Sequence, residues 1–569
     1  MSPWGEHNAA GTMMVCTESV ADACYDHLHD PIVPYLGLSC HHIQRMKVDF
    51  GTEVRPYRLT LQTGFEAKEW RLDSHRSTTR KCLLVALLMV GAMLGWATGP
   101  AMAQDRETAL INRLEQQMLD AEIQRRLDEH RGQTLGEQMT FDYGASIRLG
   151  WAKLDNAQRE PYGLRQYEAN AYMQATIAGG HRFFGNLRFL YSDYYNSDTE
   201  SDLLDPIGNR YWYEFDLANW QQATEGAKGD FDFNIRVGRQ FVNWNSGLVW
   251  SNDLYAAKMR LSWDKLSIEG LVGTSARSGL YDFDISRPNY DTDTHRRAYA
   301  VRAEYELTPE ISPFVSYFMQ RDHNDDRLVL VNPGPGPPLI PVEYHYDSNY
   351  LSFGSNGSIG NQFLYSLEMV YENGNGLSTP FINPAGTAWI QTEESIEAWA
   401  GVLNMVYMAR DDSLSRIECT LAFGTGDGDR LASANTLGGN QTGSNDRAFN
   451  SLGYINTGLA LAPNITNLLM ARIGGSTAIP INPKRPNDLR IGLDVFLFGK
   501  TTVGSPASVP TTNQRWIGWE TDIRLDWRIT SDVSFNFRYG LFIPNRGNPA
   551  DTFADQVRQF VYGGISYAF

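Results

Sequence analysis

From Phe141 to Phe569, apolar and polar side chains alternate at every second position through one segment after another. In residues 516–529, Trp519, Thr521, Ile523, Leu525, Trp527 and Ile529 fall on one face, and Glu520, Asp522, Arg524, Asp526 and Arg528 on the other. A strand sends successive side chains to opposite faces, so this pattern predicts a sheet with one apolar and one wet surface. The same period recurs over Tyr143–Trp151, Phe231–Val237, Tyr299–Leu307, Phe363–Tyr371, Ile417–Phe423, Leu489–Leu497 and Val533–Leu541. The wet face is ionised too densely for a sheet bathed on one side and buried on the other, whereas a wall with lipid outside and water inside accommodates both faces.

A bilayer offers no partner to unpaired backbone groups, so such a sheet must close on itself. The segments run about 9–14 residues, enough for tilted strands to span a membrane. Their connections alternate in length. Short turns are expected at Gly179–Arg182, Asp264–Lys265, Thr308–Glu310, Asp411–Ser413, Ala462–Ile465 and Thr530–Asp532, and long loops at 196–209, 276–295, 323–345, 373–392 and 425–447. Short periplasmic turns and long outer loops give this asymmetry. The run Asn332–Pro338, rich in proline and glycine, cannot be strand. The expected fold is all-β: a single-domain, transmembrane antiparallel β-barrel of sixteen to eighteen strands, eighteen preferred, with a short N-terminal helix. A direct count gives eighteen to nineteen strands, including a weak one at 210–216, and the register is ambiguous over 466–514. The final strand alternates Val561, Gly563, Ile565 and Tyr567 and ends at Phe569, which resembles the assembly signal of outer-membrane barrels.

Ahead of the barrel, the pattern changes twice. Arg71, Arg76, Arg80 and Lys81 precede the apolar stretch Cys82–Trp96, and Ala101 and Ala103 follow it. These are the basic, apolar and small-residue regions of an export signal, with cleavage expected before Gln104. Residues 1–70 show neither helical nor strand periodicity and read as an unstructured segment or as sequence upstream of the true start. Residues 104–138 form a periplasmic helical segment, its helix over 105–130. Leu110, Leu114, Met118 and Ala121 lie on one side of that helix, which is expected to sit in the periplasm or against the barrel rim. The barrel then occupies 139–569.

Composition narrows the function. A net charge of -17 disfavours duplex nucleic acid as a partner. Four of the five cysteines lie at or before the export signal, leaving Cys419 alone, so no disulfide is expected in the barrel. No G-x-S-x-G or H-E-x-x-H segment occurs. No catalytic residue and no cofactor is expected, no metal site is assigned, and the protein is not expected to be an enzyme. The inward rows instead carry many guanidinium groups: Arg148, Arg188, Arg236, Arg260, Arg302, Arg416, Arg490, Arg524, Arg528 and Arg538. Inward carboxylates are Glu168, Glu304, Glu368, Glu418, Asp494, Glu520, Asp522 and Asp526. Arginine stays charged at any working pH and grips carboxylates in a fork, and rings of it select anions. Pairing between these arginines and carboxylates would instead brace the wall.

The stretch Arg236–Trp263, with Gly238, Arg239 and Gln240 followed by Lys258–Ser262, resembles the alginate-export family of outer-membrane porins. Tyr539–Gly547 is similar to a late strand of that family, with Asn545 where the family usually has glycine. The resemblance implies a monomeric barrel of about eighteen strands and passage of an anionic polysaccharide, an alginate-like polyuronate, through an arginine-lined lumen; Arg239, Arg236 and Arg260 are the positions carried over first. The alternatives are a general porin or small-anion channel, and a structural or adhesive barrel. Expected partners are outer-membrane lipid and lipopolysaccharide, the anionic polysaccharide or small anions, and periplasmic export proteins.

Overall fold

The computed structural model describes residues 106–129, 133–134, 139–156, 161–196, 202–276, 295–323, 329–331, 340–343, 345–379, 391–430, 439–482, 487–546 and 554–569. The export signal, the segment before it and Asn332–Pro338 lie outside the described residues. Eighteen strands make the wall: β1 (Met139–Asp155), β2 (Tyr162–Ile177), β3 (His181–Tyr195), β4 (Asp202–Asp216), β5 (Phe231–Trp244), β6 (Trp250–Trp263), β7 (Leu266–Ser275), β8 (Arg296–Tyr305) and β9 (Ile311–Asp322). They continue as β10 (Tyr346–Ile359), β11 (Phe363–Leu377), β12 (Glu393–Met408), β13 (Arg416–Gly424), β14 (Leu468–Ile479), β15 (Leu489–Gly499), β16 (Trp516–Arg528), β17 (Val533–Pro544) and β18 (Arg558–Ala568).

Each strand pairs antiparallel with its sequence neighbours, and β1 pairs with β18 to close the ring. Ala145 and Phe569 exchange two backbone hydrogen bonds of 2.9 Å at that seam, so the terminal aromatic is part of the closure. Tyr143, Leu149, Val301, Leu421, Leu493, Ile523 and Ile565 are exposed on the outside. A solvent-facing surface this apolar belongs in lipid, and closed antiparallel barrels of this kind are outer-membrane structures. The alternation that predicted the strands therefore names the lipid face.

The even count follows from one correction. Ala462–Ile465 is not a turn between strands. The whole of 425–467 is one connection from β13 to β14, containing no strand among its described residues, which removes the supernumerary segment. The weak strand at 210–216 is the end of β4, which begins at Asp202 and shortens the loop expected at 196–209. The loop expected at 373–392 likewise begins only after Leu377, and β3 starts at His181, inside the turn expected at Gly179–Arg182. The β4–β5 connection carries a second helix, α2 (Leu217–Glu225), that periodicity did not disclose. Its start is nonetheless written locally: Asp216 Oδ1 accepts from the Asn219 amide at 2.8 Å, and Gly226 ends it in the left-handed conformation.

Helix α1 (Arg106–Glu129) forms where expected but in another place. It lies inside the lumen, not in the periplasm or on the rim. Arg148 of β1 donates to the Glu115 carbonyl at 2.8 Å, Arg188 of β3 donates to Gln116 at 2.9 Å, and Tyr562 of β18 donates to the Glu115 carboxylate at 3.2 Å. Its buried face runs through Ile111, Glu115, Leu119, Ile123 and Arg126, about one residue off the stripe of Leu114, Met118 and Ala121; Ala121 is exposed. A helix set against a polar wall buries the face that matches that wall's hydrogen-bonding groups, so its apolar stripe alone does not set its rotation.

Placing a guanidinium on the lipid face should be costly. Ile523→Arg, at the middle of β16, is expected to lower barrel stability by about 2–4 kcal/mol, measured as urea-induced unfolding in lipid vesicles.

Candidate functional site

Three segments fill the lumen: α1, the β5–β6 hairpin and the 425–467 loop. β5 pairs with β4 only through Arg239, and β6 meets β7 only from Leu254 onward, so the hairpin tip between Phe241 and Asp253 leaves the wall. It carries Trp244, Leu248, Val249 and Trp250, all fully buried. Trp250 stacks on Phe318 at 5.4 Å between ring centroids, and Phe318, Tyr350 and Phe449 continue the aromatic row at 6.3 and 5.9 Å. Phe449 belongs to the 425–467 loop, and Leu452 of that loop bridges to Trp250. The hairpin and loop thus build a hydrophobic core inside the barrel against β9 and β10, and burial of these aromatics is what holds them inward.

Carboxylates of the wall fix the polar backbone of these insertions. Glu368 of β11 accepts from the Ser246 amide at 3.2 Å and from the Asn245 side chain at 2.8 Å. Glu372, on the same strand, accepts from the Asn450 amide at 2.9 Å and from the Tyr346 hydroxyl at 2.6 Å. Glu520 of β16 accepts from three consecutive amides, Leu459, Ala460 and Leu461, at 2.5, 2.7 and 2.8 Å. Gly458 precedes them at φ +93°, where a Cβ would stand 2.5 Å from the Glu520 carboxylate. Only glycine lets the loop approach this closely. Within the loop, Arg430 holds Asp446 through its Nε at 2.9 Å. The three insertions meet at Arg113 of α1, whose guanidinium donates to the Ser251 carbonyl at 3.4 Å and lies 4.4 Å over the Tyr454 ring.

A cavity of about 990 Å³ remains between these insertions and the wall of β14–β17 and β1. Arg148, Arg490, Arg524, Arg528, Arg538, Asp522 and Asp526 border it, as do Arg472 and Asp494. Arg472 was not singled out by sequence, because 466–514 had no secure register there. With Arg125, Glu122, Glu168 and Asp488 also on the lining, the charges nearly balance, but they are not equally presented. Asp494 and Asp488 are 1% and 4% exposed, whereas Arg524 and Arg528, which they hold, are 24% and 35% exposed. Arg490 donates to the Ser476 hydroxyl at 3.1 Å and to the Leu414 carbonyl at 3.3 Å, both neutral. Arg538 reverses the order, being more buried than its partner Asp526. At Arg524 and Arg528 the wall therefore hides carboxylates behind guanidinium groups.

The other expected lumen residues are dispersed. Arg188 is sealed beneath α1 on Glu168. Arg236 borders a second cavity. Arg302 pairs with Glu304, and Arg416 with Glu418. Arg260 is exposed and bonded to Ser267. Arg239 is buried, with cross-strand partners Tyr211 and Tyr255, and its guanidinium lies 5.8 Å from the Tyr255 ring. Glu368 and Glu520 bind the insertions described above and do not border the large cavity.

Glu115, on α1 rather than on a spanning strand, is raised from 4.5 to about 7. Burial is the main cause. The Glu168 charge adds to it, while Arg148, Arg188 and the Tyr562 hydroxyl oppose it. Docked α1 therefore retains a proton that free α1 loses above about 4.5, so docking is strongest below that pH and weakens as pH rises toward 7. Hydrogen-exchange protection of α1 is expected to be higher at pH 5 than at pH 8, with Glu115→Gln flattening the difference; equal pH dependence in that variant would remove Glu115 as the cause. A further test concerns the loop: Glu520→Ala strands three amide donors, and should expose 450–461 to limited proteolysis while leaving the barrel folded.

No family model matches the chain, and no curated protein does either. Solved barrels resemble it weakly. Pseudomonas aeruginosa OccK5 (OpdH) is 10% identical with a TM-score of 0.42, covering 75% of this chain and 98% of that one. Pseudomonas aeruginosa OpdO gives 11% and 0.44 over 75% and 97%, and Acinetobacter baumannii OccAB1 gives 11% and 0.44 over 75% and 97%. Likeness at this level carries neither family nor solute over to this chain.

Proposed function

We propose that this protein is an outer-membrane channel for small anionic solutes, which pass between the inserted segments and the guanidinium row of β14–β17. The observation that carries this reading is the unequal presentation of charge: Arg524 and Arg528 face the cavity while Asp494 and Asp488 stand behind them, and Arg490 has neutral partners. A solute crossing here meets cations first, and a forked donor suits a carboxylate or phosphate. The inserted hairpin, loop and helix narrow the passage, which favours a single small solute over a broad water-filled pore. The alginate-like polyuronate suggested by the sequence resemblance offers the same carboxylate chemistry in polymeric form and needs a continuous path past all three insertions.

Planar-bilayer recording under a salt gradient tests the reading. Anion preference is expected. Arg490→Gln should lower the anion-to-cation permeability ratio by roughly twofold, as expected for one charge among several in a wet lumen, and it leaves no carboxylate unpaired. Cation selectivity in the unmodified protein would overturn the proposal. Added oligouronate separates the two forms of solute: block without transit supports the small-solute channel, and transit into vesicles supports the polymer.

A further inference from the structure

At one end of β8 and β9, two arginines stand side by side on the outer surface of the wall. The long connections 276–295 and 323–345 leave this end, and the short turn 306–310 closes the other, so this end meets the outer leaflet. Arg297, Tyr299 and Val301 of β8 fall on one face, as do Val315, Tyr317, Met319 and Arg321 of β9. Val301, Val315 and Tyr317 are exposed there, which makes it the lipid face. Arg297 is exposed as well and stands one outward step beyond Tyr299, where an aromatic girdle gives way to headgroups. Its cross-strand neighbour on β9 is Arg321. Like charges directly opposite each other are destabilising. Arg165, the outward arginine of β2, has instead Asp193 of β3 as its cross-strand neighbour, 3.6 Å away.

The two guanidinium groups are held differently. Arg321 is fixed: it donates to the Gln320 carbonyl at 2.7 Å, to the Ser348 carbonyl at 3.3 Å and to Asn349 Oδ1 at 2.8 Å. Asn349 Oδ1 also accepts from the Tyr317 hydroxyl at 3.1 Å, and the Asn349 amide donates to Asn373 Oδ1 at 3.0 Å. The Arg297 side chain has neither a hydrogen-bond nor an ionic partner among the described residues. Nearby carboxylates do not cancel both charges. Asp322 is turned inward and buried, 3.5 Å from Arg296. Asp347 lies 3.8 Å from Arg321 and 3.6 Å from His345, and offsets one of the two charges. Thr274 of β7, the other cross-strand neighbour of Arg297, is uncharged. Among the described residues, one positive charge therefore remains at headgroup level, on Arg297.

We infer that Arg297 and Arg321 form a binding site for a headgroup phosphate of lipopolysaccharide, the phosphorylated glycolipid of the outer leaflet, whose acyl chains lie along Val272, Val301 and Val315. A phosphate between the two forks replaces their repulsion with attraction to a shared anion. The site lies outside the wall, so its occupancy does not depend on conduction. The test is native mass spectrometry of the full-length barrel in detergent, titrated with diphosphorylated lipid A, with its phosphate-free form, with phosphatidylglycerol and with inorganic phosphate. Diphosphorylated lipid A should be retained and the other three should not. Arg297→Gln removes a side chain without a partner among the described residues and so leaves the wall intact; it should weaken retention about tenfold, as should Arg321→Gln. Arg410→Gln, at an exposed position on the periplasmic end, should retain the lipid as the unmodified protein does. Undiminished retention in Arg297→Gln and Arg321→Gln, or an equal loss in Arg410→Gln, would overturn the assignment. So would equal retention of phosphate-free lipid A or phosphatidylglycerol, binding of inorganic phosphate alone, or absence of lipid A binding.

Discussion

Backbone hydrogen bonding in a medium without water is the constraint from which the rest of this molecule follows. Every amide and carbonyl within the hydrocarbon must find a strand neighbour, and the ring achieves this only because β1 and β18 meet at the seam of Ala145 and Phe569. Closure spends one face of every strand on lipid. All chemistry must then come from the inward face and from chain that leaves the wall to enter the lumen.

The lumen is organised by two opposing solutions to burial. On the side of β9 and β10, aromatic side chains exclude water and hold the hairpin tip and the long loop as a conventional core. On the side of β14–β17 the wall stays wet and charged. The insertions are joined to the wall by carboxylates that accept backbone amides. This suits the problem, because an inserted loop brings unpaired amides with it, and an acceptor-only group on the wall can take two or three at once. Glu520 does so with Leu459, Ala460 and Leu461. Such a loop is a fixed constriction. Helix α1 differs: its anchors are side-chain contacts around Glu115, whose protonation changes in the physiological range.

Ion pairing and solute recognition are not exclusive here. Arg524–Asp494 and Arg528–Asp488 brace neighbouring strands, yet the carboxylates are set back and the guanidinium groups are not. A long arginine stem on a strand naturally reaches further into a lumen than the shorter aspartate beside it, so paired walls of this composition present positive charge even where the formal charges cancel.

The alternation of side chains alone determined the barrel, its lipid face, most strand boundaries and the inward direction of Arg148, Arg524, Arg528 and Arg538, because a period of two is a local property of extended backbone. The capping pair Asp216 and Gly226 of α2 is equally local, but the helix between them has no periodic trace and was not expected from the sequence. Tertiary structure decided the rest. Nothing in the order of residues 425–467 distinguishes a loop that reaches outward from one that folds inward, since its amides are satisfied by Glu372 and Glu520, 78 and about 60 positions away. The rotation and location of α1 were set by wall groups on β1, β3 and β18. The cavity at Arg236 exists only because β3, β4 and β5 stand side by side with a helix laid across them. Contacts between residues far apart in the chain carry no periodic trace, and so the site, unlike the fold, emerges only when the ring has closed.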